Sequence, residues 1–379
     1  MSQGFNLGNP ECDGRYVVFS TVADMGYGSN GMRQVYRAER TAAGYPMVVV
    51  HVSVQAVVPP GAPPGLALAD CDRPSISESG NCVSFETKAQ LISSDTDTFS
   101  DIYAWVSGEP PLIRRLSIRR DGQGNPIASP NGDSMFGSLS GSGVWVAFTS
   151  KASNLVAADA NGARSDVFLV NTNGTSTPQL VSVNAGGAQS LLAGFSTIEP
   201  IAGQADLSKS VGRVVDYDGL RVVFCGKPCD WTGSLCPAEN PADCSNGQCT
   251  STMKDQVYLR ELSPLTPGTY MVSAQIQPGN GNSRRPSISA DGERIAYASD
   301  ATSFAGSSGD SFFDVFYVKK GDVVNGTPNP KRVSTPYPST EIIDGHSLDP
   351  VISSDGLADT FYICFALVPI SVVPRPAIK

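Results

Sequence analysis

Three copies of a short acidic loop carry the most legible chemistry in this chain. Asp95, Asp97 and Asp101, then Asp159, Asn161 and Asp166, then Asp300, Asp310 and Asp314 set oxygen ligands a few residues apart. Such a set suits a hard cation, because Ca²⁺ takes about six to eight oxygens at tolerant geometry. A structural calcium is therefore the one cofactor these residues offer, and none is required. None of the loops follows the EF-hand spacing with its closing Glu. The competing reading is that Asp101, Asp166 and Asp314 accept backbone amides where the chain turns into a strand.

The nine cysteines form a second set. Five crowd into Cys225, Cys229, Cys236, Cys244 and Cys249, a Pro-rich stretch that fits no zinc spacing and has no histidine nearby. Disulfides stapling a coreless insertion over 225–249 are the expectation. Cys71 and Cys82 flank an inner hairpin and are candidates for a bond to each other. That leaves Cys12 and Cys364 as candidates for a ring-closing bond, worth roughly 3–5 kcal/mol in the chain-entropy model. This usage points to an oxidising compartment, periplasmic or extracellular. The chain opens at Met1 without a secretory leader pattern, so a removed leader or a fragment is expected.

Catalytic patterns are sparse. The two histidines are His51 and His346, no G-x-S-x-G elbow occurs, and paired carboxylates cannot be placed from spacing. The net charge of −9, without like-charge blocks, excludes a nucleic-acid footprint. Arg114, Arg115, Arg119 and Arg120 read as a solvated strand edge and turn. No apolar run is long enough to insert into a membrane.

The elements that must position these residues emerge from a repeat. Gly14, Gly80, Gly143, Gly219, Gly292 and Gly356 recur at intervals of 63 to 76 residues. Beyond the first five come Val17 and Phe19, Val83 and Phe85, Val146 and Phe148, Val222 and Phe224, Ile295 and Tyr297. Period-two spacing in constant register buries one face of a strand each time. A third strand recurs as Gln34-Val35-Tyr36, Asp101-Ile102-Tyr103, Asp166-Val167-Phe168, Gln256-Val257-Tyr258 and Asp314-Val315-Phe316. A fourth ends in an apolar residue and Ser, at Ser53, Ser117, Ser182, Ser273 and Ser334.

Four-stranded units at this period predict an all-β fold, a six-bladed β-propeller of antiparallel blades. The units run over about 1–60, 61–125, 126–190, 191–280, 281–340 and 341–379 of one domain. The sixth departs from the pattern: Asp359 stands where a β-branched residue belongs and no Asp-Val-Phe strand follows. It is expected to be incomplete, with Ile370-Ser371 as an outer strand or Met1 to Leu7 pairing in to close the ring. Inner strands would then bring Arg73, Ser75, Arg285, Ser287, His346 and Asp349 to a channel mouth. A wet tunnel for a peptide or glycan end is one reading; hydroxyls bonded to each other and to water is the other.

Pro-Ser-Ile-Ser-Ala-Asp-Gly at 286–292, Val-Ala-Phe-Thr-Ser at 146–150, Ala-Ser-Asn-Leu-Val at 152–156 and Ser-Asp-Val-Phe at 165–168 resemble the TolB-like, WD-related propeller repeats of bacterial envelope proteins. The resemblance implies the fold over nearly the whole chain. It leaves function open among scaffolds, binding modules and gating domains of peptidases. The expectation is a non-catalytic, exported scaffold that binds protein or peptide. The alternative is a carbohydrate-active lyase or hydrolase using channel-mouth carboxylates.

Overall fold

The computed structural model describes residues 6–7, 15–40, 48–55, 65–157, 159–160, 162, 165–184, 187–189, 212–226, 254–264, 267–275, 278–307, 309–310, 312–335, 345–352 and 362–369. Nearly all of their regular structure is β. Four sheets have four antiparallel strands in simple sequential order. The first joins Asn6–Leu7, Tyr16–Thr21, Gln34–Glu39 and Val48–His51; the second Cys71–Ile76, Cys82–Thr87, Asp101–Val106 and Leu112–Arg115. The third joins Ser134–Leu139, Trp145–Ser150, Asp166–Asn171 and Gln179–Leu180; the fifth Ser283–Ile288, Arg294–Ser299, Asp314–Lys319 and Lys331–Arg332. In the fourth, Arg221–Gly226, Gln256–Glu261 and Gly268–Met271 pair, with Val215 bridging Val222 in the inner place. The sixth is the hairpin of Gly345–Ile352 and Ile363–Pro369. Among the described residues the one helix is Lys320–Val324.

Register repeats from sheet to sheet. Phe19 lies opposite Tyr36, Phe85 opposite Tyr103, Phe148 opposite Phe168, Phe224 opposite Tyr258 and Tyr297 opposite Phe316. In each pair the ring centroids are 5.6–6.1 Å apart. An aromatic pair adds about 0.5–1.5 kcal/mol beyond its area burial, so the Gly-plus-five aromatic is a glue point of every complete sheet.

Consecutive sheets are joined by one device found four times among the described residues. The residue just before a third strand exchanges two hydrogen bonds with the next inner strand. Cys71 N–H donates to Arg33 O (2.9 Å) while Arg33 N–H donates to Asp70 Oδ1 (2.7 Å). Ser134 with Ser100 and Asp133, Ser283 with Asp255 and Asn282, and Ser347 with Phe313 and His346 repeat it. His346 thus holds its neighbour's strand through Nδ1, the acceptor for Phe313 N–H at 3.1 Å. The sequence placed it at a channel mouth; it occupies the structural position of Asp70, Asp133 and Asn282.

Two expectations for the ends are overturned. Asn6–Leu7 pairs with Tyr16–Thr21 as the inner strand of the first sheet, so it does not complete the sixth. In the sixth, the rule fails at Asp359 because four more residues lie between the paired positions than in the fifth sheet. Ile363 lies opposite Ile352, as Ile295 lies opposite Ile288, which gives Phe365 the place of Tyr297. Ile370-Ser371 lies outside the described residues.

One glycine is fixed by close approach. A β-carbon on Gly281 would lie 2.5 Å from Ala301 N and 2.7 Å from Ala301 Cα, backbone atoms of the adjacent hairpin. Gly281→Ala is therefore expected to cost about 1–3 kcal/mol, the usual penalty of overpacking, read as a lower urea midpoint. An unchanged midpoint would show that this junction yields freely.

Candidate functional site

Four inner strands carry a bulge at the same place, between Asp72 and Ser75, Met135 and Ser138, Arg284 and Ser287, and Leu348 and Val351. The residue it displaces has positive φ: Arg73 (47°), Phe136 (60°), Arg285 (54°) and Asp349 (54°). A left-handed backbone costs a non-glycine residue about 1–2 kcal/mol. Three of the four expected mouth residues with charge therefore do share one structural position.

Their charges are spent locally. Arg73 Nη1 pairs with Glu86 Oε1 (2.5 Å), its guanidinium lies 4.0 Å from the Phe136 ring centroid, and Phe136 N–H donates to Glu86 Oε2 (2.7 Å). Arg285 pairs with Asp349. Burial raises the carboxyls of Glu86 and Asp349, and their arginines pull against it. The serines are also engaged. Leu139 N–H donates to Ser75 Oγ (3.0 Å), Val214 N–H to Ser138 Oγ (3.1 Å) and Ile352 N–H to Ser287 Oγ (3.3 Å), each tying an inner strand to the next. A β-carbon on Gly212 would lie 3.0 Å from Pro350 O, so inner strands of the fourth and sixth sheets meet here. Ser75 and Ser287 are buried ties, which favours the reading of bonded hydroxyls over that of a wet tunnel.

The acidic loops resolve into a second repeated device. Ser117 Oγ donates to Asp101 Oδ1 (2.6 Å), Ser182 Oγ to Asp166 Oδ1 (2.7 Å) and Ser334 Oγ to Asp314 Oδ1 (2.8 Å). Ser53 and Ser273 do the same with Gln34 and Gln256. Every one of these hydroxyls accepts the next backbone N–H of the third strand, from Val35, Ile102, Val167, Val257 or Val315.

Among the described residues only Asp95, Asp97 and Asp101 converge tightly, with ligand atoms within 4.8 Å of one another. Arg115 sits among them, fully buried, at 3.2 Å from Asp95 and 2.5 Å from both Asp97 and Asp101. Tyr103 OH also donates to Asp95. Burial pushes the Asp101 carboxyl up to about 7 against the pull of Arg115. The sequence reading of Arg115 as a solvated edge residue is overturned: its strand position turns it inward onto the loop. In the third sheet Gln189 Nε2 bridges Asp159 (3.0 Å) and Asp166 (2.8 Å), while Asn161 lies outside the described residues. In the fifth, Arg332 pairs with Asp314 at 2.7 Å, and Asp310 accepts Phe312 N–H.

Cysteine placement corrects one pairing. Cys71 lies opposite Thr87 and Cys82 opposite Val106, at opposite ends of the hairpin. Five residues of strand separate such positions by about 16 Å, far beyond the reach of a disulfide. Cys71, Cys82 and Cys225 are free and buried, acting as small apolar residues, and their thiols are pushed up to about 12 by burial. Cys364 is free and exposed. Cys12, Cys229, Cys236, Cys244 and Cys249 lie outside the described residues.

A site that spacing missed is a groove of about 400 Å³ at the second sheet, between the residues ahead of its inner strand and the loop after its second strand, lined by Leu68, Ala69, Ala89 and Ile92 beside Lys88 and Asp95. At two other junctions the position of Leu68 is an asparagine. Asn131 clasps Ser153 and Asn280 clasps Thr302 through paired hydrogen bonds. Leu68 makes no such clasp and is 72% exposed. Lining up the residues before each inner strand would have exposed this substitution.

No family profile and no curated protein sequence matches the chain. Among solved structures it is similar to a protein assigned as TolB in Agrobacterium tumefaciens, at 13% identity and a TM-score of 0.46, covering 97% of this chain and 92% of that one. It is similar to TolB from Acinetobacter baumannii, at 10% identity and 0.39, covering 87% of this chain and 54% of that one. The chain thus spans about half the length of that TolB. A third is the β-propeller domain of the Trilobed protease from Pyrococcus furiosus, at 10% and 0.38, covering 94% and 88%. The fold therefore stands on the chain's own sheets, which follow one another inner strand against inner strand as propeller blades do.

Proposed function

We propose that this chain is a six-bladed β-propeller with an incomplete sixth blade, serving as a non-catalytic scaffold that binds a peptide segment of a partner protein at its loop face. The observation that carries the reading is the groove at Leu68, where an exposed apolar residue replaces the asparagine clasp found at two other junctions. The engagement of Glu86 and Asp349 by arginines supports binding over acid–base work. Export remains part of the proposal and rests on the cysteine-rich stretch 229–249; no helix among the described residues is long and apolar enough to cross a membrane.

The enzymatic alternative draws on the raised carboxyls of Glu86 and Asp349, which a glycan-cleaving acid would need. Selection of a displayed peptide library on the purified chain is expected to enrich apolar-centred sequences. Leu68→Asp should weaken their binding about tenfold with an unchanged melting temperature, because Leu68 is largely solvated. Incubation with polysaccharides decides the other side: product formation abolished by Glu86→Gln or Asp349→Asn would sink the scaffold reading.

A further inference from the structure

The motif Asn-x-Ser/Thr, with x other than Pro, occurs twice in the chain, as Asn173-Gly174-Thr175 and Asn325-Gly326-Thr327. Both copies fall at one place in the fold. Asn173 follows the third strand of the third sheet, Asp166–Asn171, and Asn325 follows that of the fifth, Asp314–Lys319, each ahead of the fourth strand. The backbone repeats as well, since Gly174 and Gly326 have φ of 72° and 74°, a left-handed turn open to glycine. In each copy the asparagine and the threonine are exposed, while a residue just before them, Thr172 or Val323, is buried and anchors the turn. Thr172 Oγ1 donates to Gly143 O (2.8 Å), and Arg114 Nη1 donates to Thr172 O (3.0 Å). Asn325 is the C-cap of the short helix that carries Val323. Around Asn173 the side chain itself is set: Thr175 N–H (2.9 Å) and Ser176 Oγ (3.2 Å) both donate to its Oδ1. This Asx-turn holds the carboxamide beside the motif's threonine, and Nδ2 has no hydrogen-bond partner among the described residues.

We propose that Asn173 and Asn325 are acceptors for N-linked glycans, which rests on the export reading because the lipid-linked sugar donor is used on the exported side of a membrane. In the transfer Nδ2 attacks C1 of a sugar carried on a lipid diphosphate. The C1–O bond to the diphosphate breaks, the Nδ2–C1 bond forms, one Nδ2 proton passes to a base of the transferase, and the lipid diphosphate leaves; nothing is oxidised or reduced. Position suits this use. Asn171 and Lys319 lie opposite Trp145 and Arg294, the first residues of second strands, so both glycans leave the sheets at their inner-turn end. The groove at Leu68 opens at the other end, ahead of an inner strand and after a second strand. Two bulky solvated chains are thus carried away from the peptide-binding face. A β-carbon on Gly326 would meet nothing within 4 Å, so the turn of the fifth sheet stands clear of its surroundings.

The whole chain, secreted by a eukaryotic host behind an added leader, is expected to carry one glycan at each asparagine. Peptide N-glycosidase F should release both and convert each asparagine to aspartate in the peptide mass spectrum. Asn173→Gln and Asn325→Gln should each lose one glycan. Thr175→Val should lose the glycan of Asn173 with the asparagine still in place, and Thr175→Ser should keep it, a pattern that a folding defect does not produce. Secretion without glycan, or a glycan on Asn173 that survives Thr175→Val, would overturn the proposal. The second sample is the chain from its source organism, with its compartment read by fractionation. Glycan on Asn173 and Asn325 there supports the proposal. An exported chain with both asparagines unmodified overturns it and leaves the export reading standing, whereas a chain retained in the cytosol overturns both.

Discussion

Arg115→Met is expected to lower stability at pH 7 by about 3–5 kcal/mol, the cost of stranding one side of a buried ion pair. Arg115 is the cation for Asp95, Asp97 and Asp101, and without it two of those carboxylates are left buried beside each other. Charge at this place varies in step in four of the five repeats; in the third, Leu180 stands there and Gln189 bonds Asp166 in its stead. Asp101 and Asp314 face Arg115 and Arg332, whereas Gln34 accompanies His51 and Gln256 accompanies Met271, each counted two residues before the clasping serine. Arg115→Met combined with Asp101→Gln reproduces the fourth sheet's pairing and should recover about half of the loss or more. Urea unfolding followed by tryptophan fluorescence gives both numbers. Equal losses in the single and double variants would show that charge is not what the pair supplies.

The second large effect belongs to His51. Its ring is buried against Tyr36 and Tyr27, Nε2 lies 3.1 Å from Ser53 Oγ and 3.3 Å from Gln34 Oε1, and burial lowers its pKa from 6.5 to about 4. The folded chain therefore binds fewer protons here than the unfolded chain between those values. Stability from His51 is complete above pH 6.5 and is lost as pH falls through about 4, a total of about 3 kcal/mol. The raised carboxyls of Glu86, Asp101 and Asp349 act in the opposite direction over part of that window, so the wild-type slope alone is not diagnostic. The difference between wild type and His51→Met is. The methionine of the fourth sheet should flatten the acid side while leaving stability at pH 7.5 nearly unchanged. A difference independent of pH would remove the idea.

The repeat was legible because register and period are written in residue types. Val83 and Phe85 announce a buried strand face, and the apolar-Ser ending announces a fourth strand, without any tertiary knowledge. The purpose of that serine was not legible, since it depends on which third-strand residue comes within reach. The same holds for Arg115. Four arginines close together read as solvated charge, and only the turn of Leu112–Arg115 onto the loop at Asp95 to Asp101 buries one of them. A comparison of repeats pairing Asp101 with Arg115 and Asp314 with Arg332 carried that signal.

Fixed spacing failed where the number of residues between paired positions changed. Counting from Gly356 landed on Asp359, while four more residues between the paired positions restore the pattern at Ile363 and Phe365. The proposed Cys71–Cys82 bond failed for the opposite reason. Proximity in sequence across a hairpin is no guide once antiparallel register sends the two ends apart. Serines near an inner strand looked like a tunnel lining because hydroxyls are wet by default. In the folded chain they meet the amides of the neighbouring strand first.

The two-bond junction ahead of four of the third strands gives the molecule the character of a one-dimensional lattice. Arg33, Ser100, Asp255 and Phe313 each bond forward to the following sheet and to no other by this device. Coupling then runs between nearest neighbours, and a defect in one sheet is transmitted with a decay set by how many junctions lie between. The sheets form a series of linked segments whose protection against solvent exchange is graded by position. The sixth is held by Ser347 and His346 at its leading side, so loss of those two bonds is expected to raise exchange there before it does so in the earlier sheets.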